Sequence, residues 1–102
     1  MTITMVRYRV KPDRVEENVR FITRVFEQLE REKPEGLQYA TFKQDDGVSF
    51  VHIASHDGAG GRNPLTELAA FKEFTAAIKD RCDEPPVPVR LTEVGSYRFL
   101  QP

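Results

Sequence analysis

Leu37-Gln38-Tyr39-Ala40-Thr41-Phe42-Lys43-Gln44-Asp45-Asp46-Gly47-Val48-Ser49-Phe50-Val51-His52-Ile53-Ala54-Ser55-His56 decides the fold. Two runs rich in β-branched and aromatic residues flank Asp46-Gly47, so the stretch reads as a β-hairpin. A two-residue type I′ turn needs φ > 0 at both positions, which Gly takes freely and Asp tolerates. That turn sets Asp45 opposite Val48 and, at the far end, Leu37 opposite His56. Alternation along the strands then sorts the side chains into two faces. Ala40, Phe42, Val51 and Ile53 form one face, apolar and suited to packing under helices. The other mixes Leu37, Tyr39, Thr41, Lys43, Phe50, His52, Ala54 and His56, and is expected to be where dimerisation and binding occur.

Upstream, Thr2–Val10 reads as a strand with Val6, Tyr8 and Val10 on one side and Ile3, Met5, Arg7 and Arg9 on the other. Lys11-Pro12 ends it. Asp13 and Glu16 have capping-box spacing, so a helix is expected to start at Pro12 or Asp13 and run to about Lys33. Its apolar stripe is Val15, Val19, Ile22, Phe26 and Leu29, widened by Phe21 and Val25. Glu16, Arg20, Arg24, Glu27 and Arg31 form the solvated side. Pro34 and Gly36 lead into the hairpin.

Downstream, Asp57-Gly58-Ala59-Gly60-Gly61-Arg62 is either a plain connector or a lid. Asn63-Pro64 starts a second helix, with Asn as cap and Pro at the first position. Leu68, Phe71, Thr75, Ile78 and Cys82 make its stripe. Asp83-Glu84-Pro85-Pro86 reads as a connector and Val87–Phe99 as the last strand, an edge because of Pro88.

Strand–helix–strand repeated twice, with right-handed crossovers, has one simple solution. It is an α+β ferredoxin-like βαββαβ plait: a four-stranded antiparallel sheet with two helices on one face and the first and third strands central. At 102 residues a single domain over 1–102 is expected. The 15 basic and 16 acidic side chains nearly cancel, which argues against nucleic acid as a partner. No run is long enough to span a membrane and no signal peptide opens the sequence, so no membrane partner is expected. One cysteine, Cys82, excludes an internal disulfide and fits a reducing cytoplasm.

The helices can cover only one face of the sheet, and the consistently apolar set Val6, Tyr8, Val10, Ala40, Phe42, Val51 and Ile53 is assigned to it. Met5, Arg7, Arg9, Tyr39, Thr41, Phe50, His52, Ala54 and His56 then fall on the bare face. An apolar surface of that extent calls for a cover, and a homodimer supplies one. Polar groups among these residues leave room for a cavity between the two sheets.

Val6-Arg7-Tyr8-Arg9-Val10-Lys11-Pro12, the long amphipathic helix and Pro34-Glu35-Gly36-Leu37 resemble the opening of antibiotic-biosynthesis-monooxygenase domains. Ser49-Phe50-Val51-His52-Ile53-Ala54-Ser55 and Leu68-Ala69-Ala70-Phe71-Lys72-Glu73-Phe74 are similar to their third strand and second helix. The resemblance implies a dimeric α+β barrel, two sheets packed face to face around ligand pockets. It also implies candidate activities: cofactor-independent oxidation of aromatic quinols, haem degradation, or none. Ala54-Ser55-His56 stands where family enzymes often carry Glu-x-Trp, and no Trp occurs anywhere. The second helix lacks the His of haem-degrading members, so no haem and no other cofactor is expected.

His52 and His56 are four residues apart on one strand, about 13 Å, too far to share a metal. His56, at the strand exit, is the candidate proton acceptor, since imidazole titrates near neutrality; a hydrogen-bonded structural histidine is the other reading. Arg7 and Arg9 are candidates for stabilising a developing negative charge, or for interfacial ion pairs. Tyr39, Phe50 and His52 are the candidate substrate-binding walls, with dimer packing as the alternative. Gly58-Ala59-Gly60-Gly61 lacks the Lys-Ser/Thr of a phosphate loop, Pro85-Pro86-Val87-Pro88 reads as a stiff linker, and Cys82 as a buried thiol. The expected function is that of a small dimeric α+β barrel acting as a cofactor-independent monooxygenase on a small aromatic or quinol-like substrate, in a pocket between sheet and helices. The alternative is a non-catalytic dimeric module that binds a small hydrophobic ligand.

Overall fold

A computed structural model describes residues 2–57 and 63–99. Strand β1 (Thr2–Val10) leads through a 3-10 turn (Pro12–Arg14) into helix α1 (Val15–Glu32). The hairpin follows as β2 (Leu37–Lys43) and β3 (Ser49–His56). Three short helices, α2 (Pro64–Glu67), α3 (Ala69–Ala76) and α4 (Ile78–Arg81), then lead into β4 (Cys82–Leu91). The sheet is antiparallel with order β2-β3-β1-β4, so β1 and β3 are central as the plait requires.

The hairpin register is the expected one, with Leu37 opposite His56 and Lys43 opposite Phe50. The turn achieves it differently. Only Gly47 takes a positive φ, +77°, while Asp46 does not. The Asp46 carboxylate instead accepts from the Val48 N–H at 3.0 Å, the Ser49 N–H at 2.8 Å and the Ser49 hydroxyl at 2.6 Å. Those three bonds hold its pKa below the usual carboxylate value.

Helix α1 starts without the expected capping box. Pro12–Arg14 winds as a 3-10 turn, and Arg14 pairs with Glu17 through two 2.8 Å bonds. Its other end closes on Lys33, a left-handed cap whose N–H donates to the Leu29 carbonyl at 2.8 Å. The buried row is Asn18, Ile22 and Val25, whereas Val19 is 40% exposed. The inward face is therefore rotated from the expected stripe.

The expected single second helix is broken twice, at Leu68, which is extended (ψ 133°), and at Ala77 (φ −126°). Leu68 is buried in the core, and its contacts outweigh helical continuity. Asn63 caps α2 as expected, its side chain accepting from the Leu65 N–H at 3.0 Å. The last strand begins earlier than expected, at Cys82, and takes in Asp83–Pro86. Its register against β1 shifts between Arg7 and Val10, a bulge that accommodates Pro85 and Pro86 on an edge. The glycine loop, expected as connector or lid, lies outside the described residues.

The hairpin turns the opposite face to the helices from the one its apolar residues suggest. Directly opposed residues of an antiparallel pair project to the same side, and β1 sets Tyr8 opposite Phe50, Val6 opposite His52 and Thr4 opposite Ala54. Tyr39, Thr41, Phe50, His52, Ala54 and His56 therefore share the helix side with Val6, Tyr8 and Val10. The bare face carries Ile3, Met5, Arg7, Arg9, Ala40, Phe42, Val51 and Ile53, joined by Val87, Val89 and Leu91 of β4. Both hairpin faces hold apolar residues, and the pairing of β3 with the distant β1 is set by tertiary packing that hydrophobicity does not encode. Beneath the helices the core is Tyr8, Val10, Ile22, Val25, Phe50, Leu65, Leu68, Phe74 and Ile78.

Candidate functional site

A pocket of about 400 Å³ opens between the sheet and α2–α4. Its floor is sheet (Thr4, Val6, Tyr8, Tyr39, His52, Ala54, His56), its roof includes Leu65, Phe71, Phe74 and Ile78, and Pro86 and Pro88 close the β4 side. A mostly apolar concavity with a few converging polar groups is the usual form of a small-molecule site.

The walls are aromatic and mutually braced. Phe26 of α1 stacks on Tyr39 with centroids 5.2 Å apart, and Phe71 meets the same ring edge-on at 6.5 Å. The His52 imidazole lies 5.3 Å from both Tyr8 and Phe74. Such pairs contribute ~0.5–1.5 kcal/mol each beyond their area, which favours a preformed cavity.

A polar chain runs beneath this box. Arg81, at the end of α4, is fully buried. Its Nε donates to Asn18 Oδ1 at 3.2 Å and a terminal nitrogen donates to the Phe74 carbonyl at 2.7 Å. Nη1 has no hydrogen-bond partner among the described residues, and the guanidinium lies over Phe21 (4.6 Å) and Phe74 (5.5 Å). Asn18 Nδ2 donates to the Tyr8 hydroxyl at 2.9 Å, and that oxygen is 2.7 Å from His52 Nε2. On its other side, His52 Nδ1 is 2.5 Å from the Tyr39 hydroxyl and 3.0 Å from Thr41 Oγ1.

Burial sets the protonation of this chain. It pushes the His52 pKa down to about 4, so the imidazole is neutral at pH 7. Burial raises Tyr39 to about 12, against the lowering effect of its hydrogen bond with Thr41. Tyr8 is pushed up as well, burial outweighing the bond from Asn18. Burial lowers Arg81.

The pocket brings together Tyr39, His52 and His56 of the expected site. His56 lines the wall, and its buried Nδ1 has no hydrogen-bond partner among the described residues. Phe50 lies behind Tyr8 in the core, stacked at 5.6 Å and outside the pocket lining. Arg7 and Arg9 do not reach the pocket. They project from the opposite face, where both meet Glu84 at 3.4 Å, because alternation along β1 separates them from Tyr8 and Val6. The ion pairs weighed for them thus exist, but within the chain. Asn18 and Arg81 did not stand out as site residues in the sequence. The signal for Asn18 was its place in the row Val15, Asn18, Ile22, Val25, Leu29, a lone amide at helical spacing among apolar residues. Among the described residues no three of His, Cys, Asp and Glu come close enough to hold a metal ion.

No protein-family model matches the chain, and no curated protein does. Solved structures do. An antibiotic biosynthesis monooxygenase superposes with a TM-score of 0.76 at 17% identity, over 93% of this chain and all of the other. A Nitrosomonas europaea protein, provisionally given the same name, has a TM-score of 0.74 at 24% identity, over 93% and 100%. A Mycobacterium tuberculosis protein, Rv0793, has 0.75 at 12%, over 93% and 96%. The chain thus has the ferredoxin-like fold of antibiotic-biosynthesis-monooxygenase-like domains.

Proposed function

We propose that this chain is a homodimeric, cofactor-independent monooxygenase acting on a small aromatic or quinol-like substrate in the pocket between sheet and helices. The observation that carries this reading is the aromatic-walled hollow of about 400 Å³ with Tyr39, His52 and His56 on its floor. Apolar walls favour a planar ring, and the few polar groups orient it. His56 is the proton acceptor, because the pocket wall holds its imidazole and Nδ1 is uncommitted among the described residues. Removing a proton from a quinol gives an anion that delivers electrons to O₂. All four electrons come from the substrate; one oxygen atom enters it as a carbonyl and the other leaves as water.

The dimer forms through the bare face of the sheet. Phe42 (39%), Val87 (58%) and Val89 (43%) are exposed there beside Ile3, Met5, Val51 and Ile53. Each such side chain removed from water contributes up to ~1.5–3 kcal/mol, and a self-complementary patch yields a two-fold pair. A cytoplasmic setting fits a chain whose one cysteine has no partner thiol, and among the described residues no helix is long and apolar enough to cross a membrane.

The second reading is a non-catalytic dimeric module that binds a small hydrophobic ligand. It is favoured by the state of His52, both of whose ring nitrogens are already hydrogen-bonded. Oxygen uptake with a panel of quinols separates the two. Turnover by the parent chain that His56→Ala abolishes supports the enzyme. Ligand binding without oxygen uptake across the panel supports the module.

A further inference from the structure

The directions of the hydrogen bonds beneath the pocket can be assigned from one end. Arg81 can only donate, so the Asn18 atom 3.2 Å from its Nε is the amide oxygen, and the amide nitrogen donates to the Tyr8 oxygen. Tyr8 is buried, and its remaining neighbour in hydrogen-bond range among the described residues is His52 Nε2 at 2.7 Å, so the phenol hydrogen goes there. A neutral imidazole that accepts at Nε2 carries its hydrogen on Nδ1. That hydrogen faces the Tyr39 oxygen at 2.5 Å and, more distantly, Thr41 Oγ1 at 3.0 Å. Tyr39 is therefore an acceptor towards His52, and Thr41, whose hydrogen bond favours the Tyr39 phenolate, donates to the same oxygen, so the Tyr39 hydrogen points away from both. Tyr39 borders this pocket and a smaller hollow beside Phe26 and Leu29, and His52, beside its hydroxyl, lines the larger of the two.

We propose that the chain Arg81–Asn18–Tyr8–His52 turns the Tyr39 hydroxyl hydrogen into the large pocket, as the donor for a ligand's carbonyl or phenolate oxygen. This rests on the pocket's being a ligand site and specifies what the site selects. The bonds run head to tail from a buried guanidinium to the cavity, so each polarises the next and the last donor is strengthened. A ligand oxygen that accepts is matched there; an aromatic hydrocarbon leaves the Tyr39 hydrogen unpaired in a dry site. Asn18 and Arg81 are positioning residues, since they act through Tyr8 and His52.

Fluorenone and fluorene, planar and nearly isosteric, differ at the carbonyl and serve as probes for the full chain. Fluorenone is expected to bind about tenfold more tightly, the worth of one good hydrogen bond. Its carbonyl stretch is expected to shift to lower frequency on binding. Tyr39→Phe should erase both the preference and the shift while fluorene still binds. Nitrogen-15 NMR should find the His52 hydrogen on Nδ1, and Asn18→Leu should mix the two tautomers. Equal binding of the two probes overturns the donor while leaving the pocket standing. Failure of both to bind overturns the ligand site together with the donor. A hydrogen on Nε2 of His52 refutes the assigned directions whatever binds.

Discussion

Lowering the pH across the titration of His52 should destabilise the fold by an amount that can be worked out. The imidazole is 5% exposed, and burial takes its pKa from 6.5 to about 4. Between those values the unfolded chain binds a proton that the folded chain does not, so stability rises with pH through that interval. The contribution is fully present above 6.5 and lost as the pH falls to about 4. At ~1.4 kcal/mol per pH unit, the interval from 6.5 to about 4 corresponds to ~3 kcal/mol. That is a large share of the total stability of a small domain. Urea unfolding of the parent and of His52→Gln, followed at fixed protein concentration from about pH 7 to about pH 4, isolates the term. Carboxylates such as Asp46 and Glu17, whose pKa values are held low by hydrogen bonds, titrate alike in both proteins and cancel. Parallel stability curves for the two proteins would refute the buried, neutral His52.

Three further outcomes are expected. Arg81→Met keeps the packing stem but leaves Asn18 Oδ1 and the Phe74 carbonyl without their donor, and should cost ~1–3 kcal/mol in urea unfolding; an unchanged midpoint would count against the chain. Val89→Lys, at a 43% exposed position on the bare face, should convert a dimer into an 11.7 kDa particle in sedimentation without changing the circular dichroism, and a parent that already sediments at that mass removes the dimer. Gly36→Ala should lower thermal stability by more than ~1 kcal/mol, because φ is +75° and the new Cβ runs into the Asp57 carboxylate; a neutral effect would refute both the left-handed backbone at this position and the close approach of Asp57.

Topology was legible in the sequence because it rests on short-range signals. Asp46-Gly47 fixes the hairpin register, Pro12 and Asn63-Pro64 mark helix starts, and strand–helix–strand repetition leaves one economical sheet order. The site was only partly legible. His52, His56 and Tyr39 stand out in the sequence, but the side of the sheet they occupy does not. The reason lies in β1 and β3, which are adjacent in space but separated by a helix and a strand. Sliding their pairing by one residue exchanges the faces, and Val51 and Ile53 look as fit for a core as Phe50 and His52. The helix erred in the same way: Val15, Val19, Ile22 and Phe26 form a continuous apolar row, and so do Val15, Ile22, Val25 and Leu29 once Asn18 is admitted between them. A polar residue that belongs to the core counts against its own row until its partner is known, and that partner, Arg81, lies 63 positions away.

The prolines of β4 have a consequence for how molecules meet. A sheet margin normally offers a ladder of free amide hydrogens to any passing strand, the route by which β-proteins polymerise. Pro85, Pro86 and Pro88 strip donors from this margin, and the bulge beside Arg9 bends what is left. A neighbour approaching in the plane of the sheet finds few rungs to grasp there. Broadside stacking on Phe42, Val87 and Val89 remains open, and it ends after one partner instead of propagating into a fibre.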